Sequence, residues 1–354
     1  MPYPPVPSVS KSQINRAGDV LIDQTSTKEQ QRKARQILND WRACHAFPIS
    51  IFQATLHRRV KPYKNSIVAQ RLKRLPTIID KLRRFPNMDL VRMQDIGGVR
   101  AVVTTIKEVR ALDKLYRDSA RLQHELVNIY DYIDRPKSDG YRGVHLIYKY
   151  KNTKNSNTAQ YNGLLLELQL RTRLQHTWAT AVETMGTFFG QALKSQQGNK
   201  KWLEFFRITS SSFAHLEKTA LVPGFKKLSD KATFDAVKKA EKEINALETI
   251  RGVAVAGKAL QTKTRGQGWY YHLIILNSDQ HTVSITSYPK AQLSQASIDY
   301  AKAEEEAVSG ARIEPVLVAA GSIESLRSAY PNYFLDVNQF VYQVERILAL
   351  SNQG

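Results

Sequence analysis

The sequence predicts an α+β protein: a mixed β-sheet surrounded by helices, then a smaller ββαβα unit, then C-terminal helices. Three observations predict it. Segments that alternate every second residue, clearest in "LLLELQLR" at 164–171, stand between segments whose apolar residues recur at helical spacing. Polar or Gly-punctuated runs, such as "NTKNSNTAQYNG", separate them. After about residue 228 the composition shifts to an Ala/Lys/Glu-rich helix and a second, shorter set of strands.

The elements follow in order. Residues 28–59 read as helices broken by Pro48, with Ala34, Ile37, Leu38 and Trp41 on one face of a basic remainder. "SIVAQRLKRLPTIIDKLRRF" (66–85) reads as a basic helix, 99–105 as a strand and 106–122 as a helix. Strands follow at 144–151 and 164–171. In the latter, Leu164, Leu166, Leu168 and Leu170 share one face, and Leu165, Glu167, Gln169 and Arg171 the other. A helical tail spans 172–189 and a further helix 230–250. The small unit then has strands at 269–276 and 282–288, a helix at 291–307, a strand at 313–320 and helices to Leu350. The expected division is a helical region at 1–58, a central domain at 59–228 and a C-terminal domain at 229–354. "PYPPVP" favours extended polyproline conformation and reads as a frayed terminus.

With 354 residues, 42% hydrophobic and 24% charged, the chain matches globular proteins of about two domains. Its 52 Lys and Arg against 32 Asp and Glu give +20, an excess suited to polyphosphates or nucleic acid. Cys44 stands alone, so there is no intramolecular disulfide and no CxxC zinc pair, which suits a reducing cytoplasm. Zinc is not expected. No secretory h-region or membrane-length apolar run occurs, so neither export nor a membrane is expected.

Pyrophosphoryl chemistry needs a divalent cation on carboxylates, cations on the phosphates and a planar partner for a nucleobase. The central region offers all three. Asp95 opens "DIGGVR", and Glu167 lies on the polar face of its strand. Cations occur at Arg59, Lys61, Arg71, Lys73, Arg74, Arg100, Lys137, Arg142 and Arg171, and Gly140 displays Tyr141. Each also has an ordinary structural reading: Asp95 as a turn cap, Glu167 as the partner of Arg171 or Lys149.

Their order narrows the choice. "RVKPYKNS", "DIGGVRAVV", "YDYIDRPKSDGYRGVH" and "LELQLRTRLQHTWA" resemble the synthetase domain of the RelA/SpoT family over about residues 59–185. The resemblance implies a nucleotidyltransferase-like mixed sheet and transfer of the β,γ-pyrophosphate of ATP to a ribose hydroxyl, with Mg2+ on Asp95 and Glu167. Arg59 and Arg100 would clamp adenine. Lys61, Ser66, Arg71 and Lys73 would hold the phosphates. Glu167 would also take the proton of the attacking hydroxyl, with Lys137, Tyr141, His145, Gln169 and Arg171 on the acceptor side.

The pattern departs from alarmone synthetases at Asn128, Tyr130 and Asp139, and the serine after "RVK" comes one residue late. These departures weaken guanine-nucleotide recognition more than pyrophosphate transfer. With no hydrolase domain in the sequence, the chain resembles the toxic small synthetases, which modify the 3′-CCA end of tRNA. Helix 28–41 and the basic segments carrying Lys64, Arg74 and Arg84 are then candidate tRNA contacts. The C-terminal half resembles the regulatory part of CapRel-type fused toxin–antitoxins, a pseudo-zinc-finger with anchoring helices, and "YPNY" matches its Tyr-x-x-Tyr element. That resemblance implies autoinhibition through Tyr330 and Tyr333. It also implies release by a phage-encoded trigger, the major capsid protein among the candidates. The alternatives are a (p)ppGpp or (p)ppApp synthetase and a non-catalytic RNA-binding module.

Overall fold

A computed structural model describes residues 3–119, 122–153, 156–188, 200–256, 259–264, 269–277, 279–280, 282–319, 330–331 and 337–352. Three helices come first: α1 (Lys11–Ile22), α2 (Lys28–Ala43) and α3 (Ala46–Val60). The sequence places α1 inside the expected helical region 1–58 without marking its bounds. Ser10 and Gln13 form a capping box at its start, and Ile14, Ala17 and Leu21 bury its apolar face. The terminus before it is tied down, because the Tyr161 hydroxyl donates to the Pro4 carbonyl at 2.9 Å.

The central sheet contains β1 (Ile67–Leu72), β2 (Gly97–Val103), β3 (Glu125–Asp131), β4 (Val144–Lys149) and β5 (Leu165–Thr172) in the order β1-β2-β5-β4-β3. Only the β2–β5 pair is parallel, so the sheet is mixed, as expected. The basic helix expected over 66–85 is corrected. Its first part is β1, where Ile67 and Val68 favour extended backbone, and α4 (Leu75–Arg84) begins only where Pro76 can occupy the first turn. Helix α5 (Ile106–Arg117) ends earlier than expected, and strand β3 was not foreseen.

One face of the sheet, with Val99, Ala101, Val103, Leu146, Leu166, Leu168 and Leu170, packs on α1–α5. Helices α6 (Arg173–Phe188), α7 (Lys200–Glu217), α8 (Asp230–Ile244) and α9 (Ala246–Ala256) build a second core. The C-terminal helix α11 (Asn338–Ser351) joins that core, its Phe340 edge-on to Phe205 and Phe213.

The smaller unit is a four-stranded sheet, not the three strands expected. Its strands β6 (Ala259–Thr264), β7 (Trp269–Asn277), β8 (Thr282–Pro289) and β9 (Ile313–Ala319) run in the order β6-β8-β7-β9. The Gly-punctuated basic stretch supplies β6. Helix α10 (Leu293–Val308) covers one face through Ala296 and Tyr300, which pack with Tyr271, Leu273 and Tyr288. The other face, with Ile274, Ile285 and Val316, joins the α6–α9 core.

Candidate active site

The face of the central sheet opposite α1–α5 carries the chemistry, because period-two alternation sends every second side chain there. Strand pairing aligns Tyr130, His145, Gln169, Arg100 and Ala69 in one row across all five strands. The next row holds Ile147, Glu167, Gly98 and Arg71. Gly98 leaves the space beside Glu167 free of any side chain. The polar face inferred from the "LLLELQLR" alternation is this one, and Glu167, Gln169 and Arg171 on it are all buried.

Glu167 is held on both oxygens. His145 Nδ1 lies 2.6 Å from Oε1, and Gln169 Nε2 donates to Oε2 at 2.6 Å. Arg171 in turn donates to Gln169 Oε1 at 2.9 Å. Burial alone would raise the Glu167 carboxyl, but the His145 charge and the His145 and Gln169 hydrogen bonds outweigh it and hold the carboxyl below its usual range. Asp95 sits just before β2, between Lys73 Nζ at 2.8 Å and Lys81 Nζ at 2.9 Å. Burial opposes its charge too; the two ammonium groups prevail and lower it. Lys81 was not among the expected residues, since only the turn of α4 above β1 brings it there.

Cations crowd the same face. Burial, then the neighbouring Arg171 and Arg71 guanidiniums, push Arg100 downward, with Tyr330 and Glu183 opposing the shift. The Asp95 charge also pushes the Glu167 carboxyl upward, against the groups that lower it. Two ionised carboxylates supply hard oxygen donors and no nitrogen or sulfur pair, a set that fits Mg2+. Among the described residues no cluster of three or more His, Cys, Asp or Glu forms.

The loop between β3 and β4 places the remaining acceptor-side residues. Gly140 has φ +97°, and a Cβ there would lie 2.8 Å from Trp178, so this turn requires glycine. Tyr141 is buried, unlike the displayed ring expected, with its hydroxyl 2.5 Å from His145 Nε2 and the Arg171 guanidinium 4.9 Å from its ring centre. The accessible flat surfaces are instead Tyr130 and Tyr132, stacked at 6.0 Å and 4°, with Lys137 Nζ 4.4 Å from the Tyr132 ring. Asp139 accepts from the Tyr141 backbone at 2.8 Å, which fixes the loop.

Other expected residues lie elsewhere. The Arg59 guanidinium rests 4.0 Å from the Tyr116 ring and donates to Ser119 at 2.9 Å. Tyr116 belongs to the core on the opposite sheet face, so Arg59 is not brought to Arg100. Lys61 and Lys64 are exposed at the end of α3 and beyond it, and the Ser66 hydroxyl donates to Val60 O at 3.4 Å. Of the three candidate tRNA contacts, Arg74 is ion-paired with Glu314 at 2.7 Å, Arg84 is exposed and pairs with Asp80 one turn away at 3.0 Å, and Lys64 is exposed.

Tyr330 reaches the Arg100 side of the site. It shares a small cavity with Ala69, Arg71, Arg100, Gln169 and Glu183. Its hydroxyl accepts from Gln70 N at 2.9 Å and donates to Gln70 O, closing the free edge of β1. Tyr333 lies outside the described residues.

Part of the chain is similar to known proteins. Residues 70–186 match the region found in RelA / SpoT proteins. Among curated relatives, the GTP pyrophosphokinase YjbM of Bacillus subtilis is 31% identical over 115 residues, 32% of this chain and 52% of the relative. The GTP pyrophosphokinase YwaC of the same organism is 29% identical over 115 residues, 31% of this chain and 52% of the relative. The chain thus spans about half the length of these relatives. Among solved structures, small alarmone synthetase 1 from Bacillus subtilis bound to its product pppGpp covers 49% of this chain and 89% of that chain, at 23% identity and a TM-score of 0.42. No helix among the described residues is long and apolar enough to cross a membrane.

Proposed function

We propose that the chain is an ATP-dependent pyrophosphokinase whose acceptor is the 3′-CCA end of tRNA, and that its C-terminal region restrains it. One observation carries the pyrophosphokinase reading: Glu167 shares one sheet face with Arg71, Arg100 and Arg171, and Asp95 beside it is held by Lys73 and Lys81, within the segment matched to RelA / SpoT proteins. Phosphoryl-type transfer is mostly positioning and charge stabilisation, and this face supplies fixed charges of both signs.

In this reading Asp95 and Glu167 would hold Mg2+, which supplies Lewis-acid charge at the phosphates, with one lysine yielding an Asp95 oxygen. The guanidiniums of Arg71 and Arg100 meet the triphosphate. Glu167 accepts the hydrogen bond of the attacking ribose hydroxyl and takes its proton as that oxygen bonds to the β-phosphorus. The bond between the β-phosphorus and the α-bridging oxygen breaks, and AMP departs. His145 keeps Glu167 charged and oriented. Tyr141 in turn fixes the imidazole.

The tRNA reading is supported by +20 and by the acceptor side. Asn128 and Tyr130 offer no cation to a second nucleotide's phosphates, and Asp139 adds a carboxylate. The names of the relatives favour the other reading, a GDP or GTP acceptor. Restraint by the C-terminal region is supported by Tyr330 in the Arg100 cavity and by Arg74 paired with Glu314; its relief by a phage-encoded protein is part of the proposal. Incubation with labelled ATP and either tRNA or GDP tests the proposal. Label in tRNA with AMP release is expected; label in GDP alone moves the chain to the alarmone reading, and no AMP with either acceptor defeats both.

A further inference from the structure

A second, larger cavity of about 1070 Å³ opens between α2 and the small sheet with its helix α10. It shares only Gln70 and Arg71 with the small cavity at Arg100. Its lining holds six cationic side chains and three carboxylates. Arg42 and Glu304 neutralise each other, which leaves Lys28, Arg32, Arg35, Arg71 and Lys302 against Asp40 and Glu305.

Lys28, Arg32 and Arg35 form one stripe of α2, spaced by four and then three residues and spanning about 10 Å at 1.5 Å per residue. None of these three forms an ion pair among the described residues. Arg35 Nε is buried without a hydrogen-bond partner. A buried donor left unpaired is costly, so an acceptor arriving from outside would gain at Arg35. The facing wall differs in kind. Tyr270 is 40% exposed and Ile298 51% exposed, large apolar surfaces that a closed interface would ordinarily cover. An extended row of cations suits a chain of phosphates, and a tyrosine ring opposite it suits a planar base.

We infer that this interdomain cleft is a binding site for a nucleoside polyphosphate, separate from the face that carries Glu167. The phosphates lie along Lys28, Arg32 and Arg35, and the base lies against Tyr270 and Ile298. The two walls belong to regions more than two hundred residues apart in sequence, so an occupant bridges them and adds to the Arg42–Glu304 contact. Binding to the docked arrangement stabilises that arrangement by mass action. The inference stands on the cleft alone and does not require the pyrophosphokinase reading.

Calorimetric titration of the full chain, carrying Glu167→Gln to prevent turnover, tests it with GTP, ATP and inorganic tripolyphosphate as probes. Arg32→Gln with Arg35→Gln is expected to remove one class of nucleotide site, or to weaken it at least tenfold. Tyr270→Ala is expected to weaken GTP or ATP while leaving tripolyphosphate unchanged. Circular dichroism of each variant confirms folding, and Arg32 and Tyr270 are exposed enough to change without disturbing the core. Unchanged stoichiometry and affinity in the double variant overturn the inference. So does tripolyphosphate binding as tightly as either nucleotide, or binding of RNA at this stripe with no nucleotide site there.

Discussion

The Glu304 carboxylate of α10 grips the Arg42 guanidinium of α2 across 262 residues of chain, at 2.5 and 3.0 Å. The same guanidinium donates to the Lys73 carbonyl at 2.9 Å, and Glu304 also accepts from Leu75 N at the start of α4 at 2.8 Å. Burial opposes the Arg42 charge, yet Glu304 and Tyr300 outweigh it and hold the guanidinium above its usual range. The C-terminal region therefore touches the backbone directly at Leu75 and, through Arg42, is linked to the carbonyl of Lys73, one of the two lysines on Asp95.

Removing one partner of this pair strands a buried charge. Glu304→Gln or Arg42→Met should each destabilise the chain by about 3–5 kcal/mol, the usual cost of breaking a buried pair. Urea unfolding followed by circular dichroism measures it. Combining Arg42→Met with Glu304→Gln should cost less than the two single losses added together, because no charge remains unpaired. A single-variant loss below about 1 kcal/mol would place the contact among exposed ion pairs in effect.

Glu167→Gln should lower AMP formation by at least a hundredfold while melting within a few degrees of the parent. The amide keeps the shape but carries neither the charge nor the basicity. Single-turnover AMP release at saturating Mg2+ is the measurement. Parent-like rates would remove Glu167 from the chemistry.

His145→Asn should move the acid limb of the pH–rate profile toward neutral. Burial and Asp95 both raise the Glu167 carboxyl, and the charge opposing them comes mainly from His145. Without it the carboxyl protonates at higher pH. In the parent, the lowered Glu167 and Asp95 carboxyls contribute stability above the ordinary carboxylate range, and lose it only as pH falls through their lowered values. An acid limb unchanged by the substitution would show that His145 does not set the charge on Glu167.

The legible parts of the molecule were those with strong periodicity. The leucines of β5 announced both the buried face and, by alternation, the placement of Glu167, Gln169 and Arg171. Strand β3 hid because it lies at a sheet edge with Val127 and Ile129 exposed and a register shift after Leu126, so its apolar residues do not mark a core face. Strand β1 hid because its basic residues continue into α4 without punctuation until Pro76. Within the site, Asp95 was found but not Lys81, and Arg59 was assigned to Arg100 although α5 holds it across the sheet. Such pairings arise from packing between elements and leave no spacing signal.

Tyr330→Phe separates the ring of Tyr330 from its hydroxyl. The hydroxyl contacts both backbone groups of Gln70, so its loss leaves one edge of β1 without those partners while the ring still fills the Arg100 cavity. A lost hydrogen bond of about 1 kcal/mol should speed exchange of the Gln70 amide roughly fivefold, read by hydrogen–deuterium exchange. If this contact helps to hold the C-terminal region over the site, AMP formation with tRNA should rise in the same variant, and further in Tyr330→Ala, where the ring is lost as well. Faster exchange with no gain in AMP formation from either variant would make Tyr330 an edge cap for β1 and nothing more, and the restraint would have to act elsewhere on the sheet.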